Sequence, residues 1–109
     1  MSAVWIYVTA SDQEEAEYLG QILVEERLAA CANVLGPTTA IYWWEGKVER
    51  SPEVALVMKT RADLVDAVTE KINSIHSYDC PCVVALPITG GNPDFLHWLG
   101  EETRKPKCN

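Results

Sequence analysis

Apolar and polar positions along this chain change period repeatedly, and each change marks an element. Ala3-Val4-Trp5-Ile6-Tyr7-Val8 is an unbroken β-branched and aromatic run, which predicts a buried strand. Ser11 and Glu14 follow with the spacing of a capping box. Ala16, Leu19, Gly20 and Leu23 then recur at helical spacing opposite Glu14, Glu15, Glu17 and Glu25. This predicts an amphipathic helix ending near Arg27, with the glutamates on its solvated face. Ala29 to Leu35 is a small-residue apolar run that Gly36-Pro37 should stop, giving a second strand. Thr39 to Trp44 is strongly strand-forming, and Glu45-Gly46-Lys47 should turn it back, with Gly supplying a positive φ. The return strand starts at Val48. Ser51-Pro52 predicts a bulge or a sheet edge within it, because Pro has no N–H for a ladder, and Val54, Leu56 and Met58 resume the alternation. Val65, Val68, Ile72 and Ile75 form the apolar stripe of a second helix from about Arg61. Cys82 to Ile88 reads as the last strand, and Asn92-Pro93 as the start of a short helix carrying Phe95, Leu96, Trp98 and Leu99.

The order strand, helix, strand, strand, helix, strand, with one helix added, is the α+β ferredoxin-like βαββαβ arrangement. Helices on one face of such a sheet leave the other open. Here both faces are apolar, since Tyr42 and Trp44 alternate with Ile41 and Trp43. A partner subunit is the simplest cover for the open face, although single aromatics also sit half exposed in monomers. With 109 residues and neither repeat nor linker, residues 1–109 form one domain.

Composition narrows the function classes. At 48% hydrophobic and 23% charged the chain has the balance of a folded domain, not of a disordered one. A net charge of −7 argues against nucleic acid, whose phosphates need clustered Lys and Arg. The basic cluster Arg104, Lys105 and Lys107 reads as a solvated tail. No run approaches the length of a membrane span, and the first residues have no basic n-region and no cleavage site. The expected location is therefore the cytoplasm. In that compartment Cys31, Cys80, Cys82 and Cys108 are free thiols or metal ligands, not a disulfide framework.

Glu26-Arg27-Leu28-Ala29-Ala30-Cys31-Ala32-Asn33 resembles the E-[KR]-L-A-A-C-x-N signature of CutA divalent-cation-tolerance proteins. Ile41 to Glu49 is similar to that family's Y-x-W-x-G-K hairpin, and Lys59-Thr60 to its L-x-x-K-T strand end. His76-Ser77-Tyr78-Asp79-Cys80-Pro81-Cys82 followed by Leu86-Pro87-Ile88 resembles H-P-Y-x-x-P-E and L-P-[IV]. Phe95 to Leu99 resembles the closing [YF]-L-x-W-[LI] helix. The resemblance spans nearly the whole chain. It implies an interlocked homotrimer similar in shape to nitrogen-regulatory PII proteins, tolerance to divalent cations, copper especially, and no catalytic activity. The chain departs from the pattern at Ser77, where the family has Pro, and at Cys82, where it has Glu. Copper ligands credited to some members fall here on Val8, Ile75 and His76, of which only His76 can bind metal.

Two function classes remain in view. His76, Cys80 and Cys82 could hold one soft or borderline ion, Cu(I) or Zn²⁺, because residues two apart on an extended segment point to one side. Alternatively Cys82 is a small hydrophobe opening a strand and Cys80 a loop thiol. No cofactor is obligatory. Cys31 reads as a buried inert thiol, Cys108 as part of the tail, and His97 as a surface residue. A Cys80–His76 nucleophile lacks an oxyanion loop, and no phosphate-binding glycine motif appears, so an enzyme is not expected. The second class is a PII-like trimeric small-ligand sensor, with Trp44, Lys59, Tyr78 and Trp98 lining an inter-subunit cleft for a small anionic or planar ligand. Core and interface packing would use the same residues.

Overall fold

The computed structural model describes residues 1–105. Cys108 and Lys107 lie outside them. Strand β1 (Ala3–Ala10) leads into helix α1 (Gln13–Glu25). β2 (Cys31–Trp44) and β3 (Lys47–Arg61) form a long hairpin, and a 3-10 turn (Ala62–Leu64) opens helix α2 (Val65–Ile75). β4 (Val83–Ile88) and helix α3 (Pro93–Glu101) complete the described chain. The sheet is antiparallel throughout, in the order β2-β3-β1-β4. This is the order expected of the ferredoxin-like βαββαβ arrangement.

Both main helices cover one face. Val4, Ile6, Val8 and Ala10 of β1, with Leu56 and Met58 of β3, meet Ala16, Leu19 and Leu23 of α1 and Val68 and Ile72 of α2 in the principal core. The helix stripes read from the sequence are therefore the buried ones. Gly20 lets α1 approach β2 closely, since a Cβ there would stand 3.0 Å from Ala32 Cβ. Gly20→Val should consequently cost about 1–3 kcal/mol by overpacking. An unchanged urea midpoint would show that the helix has room to shift.

Several element boundaries differ from expectation. Asp12, not Ser11, caps α1, its Oδ1 accepting from Glu15 N at 2.8 Å. Gly36-Pro37 does not stop a strand. β2 runs straight through it, and the extra residue is absorbed as a register shift between Val34 and Gly36, whose φ is +111°. A bulge and a stop share the same sequence signal. Pro52 needs no bulge, because β3 before Val54 pairs only with β2 and its other edge is free. The hairpin turn is tight, with φ positive at both Glu45 (+51°) and Gly46 (+79°), the arrangement whose twist matches the strands. β4 begins at Val83, leaving Cys82 in the preceding loop.

The second face is only partly covered. Leu99 and Leu96 of α3 pack over Ala3, Ala30 and Ile88 at one end of it. Beyond them Trp5, Val84 and Leu86 are exposed, and so is the apolar surface of the hairpin, with Ile41 60% and Trp43 74% accessible. Cys31 belongs to this face and is half-buried, which corrects its reading as a core thiol: Ala32 and Val34, not Cys31, pack on the core.

Candidate functional site

The loop between α2 and β4 carries most of the chemistry, and three anchors fix it. His76 closes α2, its N–H reaching Ile72 O. Its side chain is fully buried. Nδ1 accepts from Tyr78 N at 3.0 Å, which leaves the ring proton on Nε2 to be donated to Thr9 O at 2.9 Å. The second anchor is Glu15 on the first turn of α1. Its carboxylate accepts from Ser11 N and Oγ, and from Ser77 N (2.8 Å) and Oγ (2.9 Å). Burial pushes this carboxyl up, but the four hydrogen bonds together outweigh it and bring it down to about 2. Glu15 is thus a half-buried tether between α1 and the loop, set apart from the solvated glutamates beside it. The third anchor is Tyr78, whose hydroxyl donates to Glu53 Oε2 at 2.7 Å while its ring lies 4.6 Å from that of His76. Burial, and then the Glu53 carboxylate, hold the phenol protonated well above its ordinary range.

Cys80 is exposed and Cys82 half-buried in the last part of the loop, and both are unpaired thiols. Burial, and then the Glu53 charge, push the Cys82 thiol up. His76 does not join them. Both of its ring nitrogens are occupied, and a metal would have to break one of two hydrogen bonds of a fully buried ring. Among the described residues, no three His, Cys, Asp or Glu side chains stand around one point in coordinating geometry. Cys80 and Cys82 therefore need donors other than His76. Glu53 was hidden from sequence reading beside the Ser51-Pro52 break, and nothing local marks it.

The four cleft residues also separate within one chain. Trp44 lies at the hairpin tip, paired with Lys47, while Lys59 pairs with Cys31 and Trp5. Twelve residue steps along β3 separate those pairs, roughly 35–40 Å of strand. Tyr78 is at the hairpin root and Trp98 on α3, where its ring meets Phe95. Only a second copy could bring Trp44 to Lys59. Lys59 Nζ donates to Asn33 Oδ1 at 2.6 Å and approaches Cys31 Sγ at 3.9 Å. No carboxylate among the described residues pairs with it. His97 is a surface residue, as expected, and pairs with Glu101 one turn on.

Strand order, two main helices on one face, a projecting hairpin and an added helix over part of the other face define a ferredoxin-like α+β domain. Comparison with known proteins narrows this class. The model of the family described as "CutA1 divalent ion tolerance protein" matches residues 4–102. The chain is 44% identical over 103 residues to "Protein CutA 1, chloroplastic" of Oryza sativa subsp. japonica, a match covering 94% of this chain and 58% of that protein. It superposes on the crystal structure of CutA1 from Oryza sativa with a TM-score of 0.94 at 42% identity, covering 97% of both chains. The structure titled "Periplasmic divalent cation tolerance protein CutA" from Archaeoglobus fulgidus gives a TM-score of 0.89 at 41% identity, covering 92% of this chain and 97% of that one. The chain belongs to the CutA1 divalent ion tolerance family. It spans little more than half the length of the rice protein, and the Archaeoglobus fulgidus relative is named as a divalent cation tolerance protein. No helix among the described residues is long and apolar enough to cross a membrane.

Proposed function

We propose that three copies of this chain assemble through the open sheet face and the hairpin, and that the trimer serves cation tolerance by binding copper or zinc through Cys80 and Cys82, without catalysis. The observation that carries this reading is the position of the two thiols. They lie at the root of a hairpin whose apolar surface is bare in one chain, where a neighbouring copy could complete a ligand set that a single chain leaves short. Thiolates favour Cu(I) and Zn²⁺ over Mg²⁺ and Ca²⁺, which take oxygen ligands. Such thiols stay available in a reducing compartment, which supports the cytoplasm, although relatives carry chloroplastic and periplasmic names. The acidic surface argues against nucleic acid as a partner.

Sedimentation equilibrium at micromolar concentration should give three times the chain mass. Replacing Ile41 and Trp43 together by Ser should shift the protein toward monomers. A wild-type monomer would end this reading. A second reading, a small-anion sensor, draws support from Lys59, a cation without a carboxylate partner on the open face beside Trp5. Inorganic phosphate should then change Trp fluorescence in the metal-free trimer, whereas a metal-binding protein would respond to Cu or Zn alone.

A further inference from the structure

Cys80 and Cys82 flank a single residue, Pro81, in the loop that joins α2 to β4. Two residue steps carry a chain at most about 7 Å, and disulfides bridge Cα atoms roughly 4.4–6.8 Å apart. Covalent connectivity alone therefore sets the pair at the edge of bridging range or inside it. Both thiols are free, and their exposure differs: Cys80 is open to solvent, whereas Cys82 is half-buried. The backbone between them is unencumbered. Among the described residues, no backbone hydrogen bond outside the helices and the sheet involves residues 79–82, and Pro81 has no N–H to lose. Torsion about the Cα–C bond of Pro81 can thus close the remaining gap without breaking a hydrogen bond of the fold. The flanks stay fixed meanwhile. Ser77 and Tyr78 are tied to Glu15, His76 and Glu53, and β4 enters the sheet with Val83 opposite Val8.

We infer that Cys80 and Cys82 form a dithiol–disulfide exchange site for small disulfides, with Cys80 as the attacking thiol and Cys82 as the resolving one. Cys80, as thiolate, attacks one sulfur of the disulfide. The S–S bond breaks, and the departing thiolate takes a proton from solvent. The mixed disulfide on Cys80 then lies one residue from Cys82. Cys82 loses its proton to solvent and attacks Cys80 Sγ, forming the intrachain bond and expelling the second small thiolate, which is protonated in turn. In balance, two protein thiols are oxidised to one disulfide, and one small disulfide is reduced to two thiols. The roles follow from access, since an external disulfide reaches the exposed sulfur first. Asp79 beside Cys80 and the net charge of −7 favour a disulfide without anionic groups. The exchange requires no metal and so stands apart from the reading above, although the closed bridge would withdraw both sulfurs from any ion.

The test mixes reduced, metal-free, full-length protein with excess cystamine, a disulfide bearing an ammonium group at each end. Samples are quenched by alkylation and read by intact mass, and peptide mapping separates this pair from Cys31 and Cys108. The wild type should end as a Cys80–Cys82 disulfide, lighter by two hydrogens and retaining no cysteamine on either residue. Cys82→Ser should stop at a stable cysteamine adduct on Cys80. Cys80→Ser should react at least about tenfold more slowly at Cys82, because the remaining sulfur is half-buried. Both substitutions fall outside the helices and the sheet, and matching urea midpoints of the reduced proteins verify that the fold is kept. A wild type that holds its cysteamine on Cys80 would overturn the inference, because Cys82 then fails to resolve it. A bridge to Cys31 or to another copy would overturn it as well, and so would a pair that cystamine leaves fully alkylatable. Cys80→Ser reacting as fast as wild type would reverse the assigned roles and sink the mechanism. A protein that exchanges but binds neither Zn²⁺ nor Cu(I) keeps this inference and loses the metal reading.

Discussion

His76→Phe should lower the stability of the chain by about 2–4 kcal/mol while leaving its Zn²⁺ and Cu(I) affinities within a factor of two or three of wild type. The cost follows from what the ring touches. Phenylalanine keeps a flat ring, somewhat larger than imidazole, but strands Thr9 O and Tyr78 N–H, two backbone groups that the imidazole now satisfies. An orphaned buried polar group costs roughly 1–3 kcal/mol. Urea unfolding measures the first quantity and chelator competition the second. A variant of unaltered stability that had lost its metal affinity would return His76 to the role of ligand.

Acid should unfold the protein through Glu15. Its carboxyl titrates near 4.5 in the unfolded chain and about 2 in the folded one. A carboxyl depressed by folding contributes stability that is fully present above the unfolded value and is lost as pH falls toward the folded one. The window is therefore pH 4.5 down to about 2, and the stake is on the order of 3 kcal/mol. Glu15→Gln should be less stable than wild type at neutral pH, and the gap between them should close across that window. Denaturant midpoints collected at a series of pH values give the comparison directly. A gap that stayed constant from pH 7 to pH 3 would mean that the four hydrogen bonds do not hold the carboxylate as described.

The two residues just invoked show which part of the site the sequence made visible. Periodicity is local, so Ala16, Leu19, Gly20 and Leu23 could be assigned to one buried stripe, and Glu45-Gly46 to a turn, without any knowledge of the rest of the chain. The partners of Glu15 are not local. Its spacing on α1 matches that of Glu14 and Glu17, and only folding brings Ser77, 62 residues away, to its carboxylate. Glu53 was masked in the same manner, since Pro52 beside it signals an interruption and nothing nearby hints at Tyr78. His76 was legible as a chemically capable residue, yet its burial and its two backbone partners follow from where β1 ends. The path of β2 through Gly36-Pro37 was missed because the residues that stop a strand are also those that let one bulge and continue.

The projecting hairpin also carries a hazard for a single folded chain. A two-stranded ribbon with bare edges and exposed Ile41, Trp43 and Val48 is a ready template for uncontrolled strand addition, the first step toward fibrillar aggregates. The ribbon carries its own deterrents. Pro37 and Pro52 offer no N–H to an incoming strand, and Glu45, Lys47, Glu49 and Arg50 place charge around the tip, where stacked identical copies would repel. The same surface can thus stay bare without seeding a precipitate, and replacing these prolines and charges would trade solubility for stickiness before any change in the native fold.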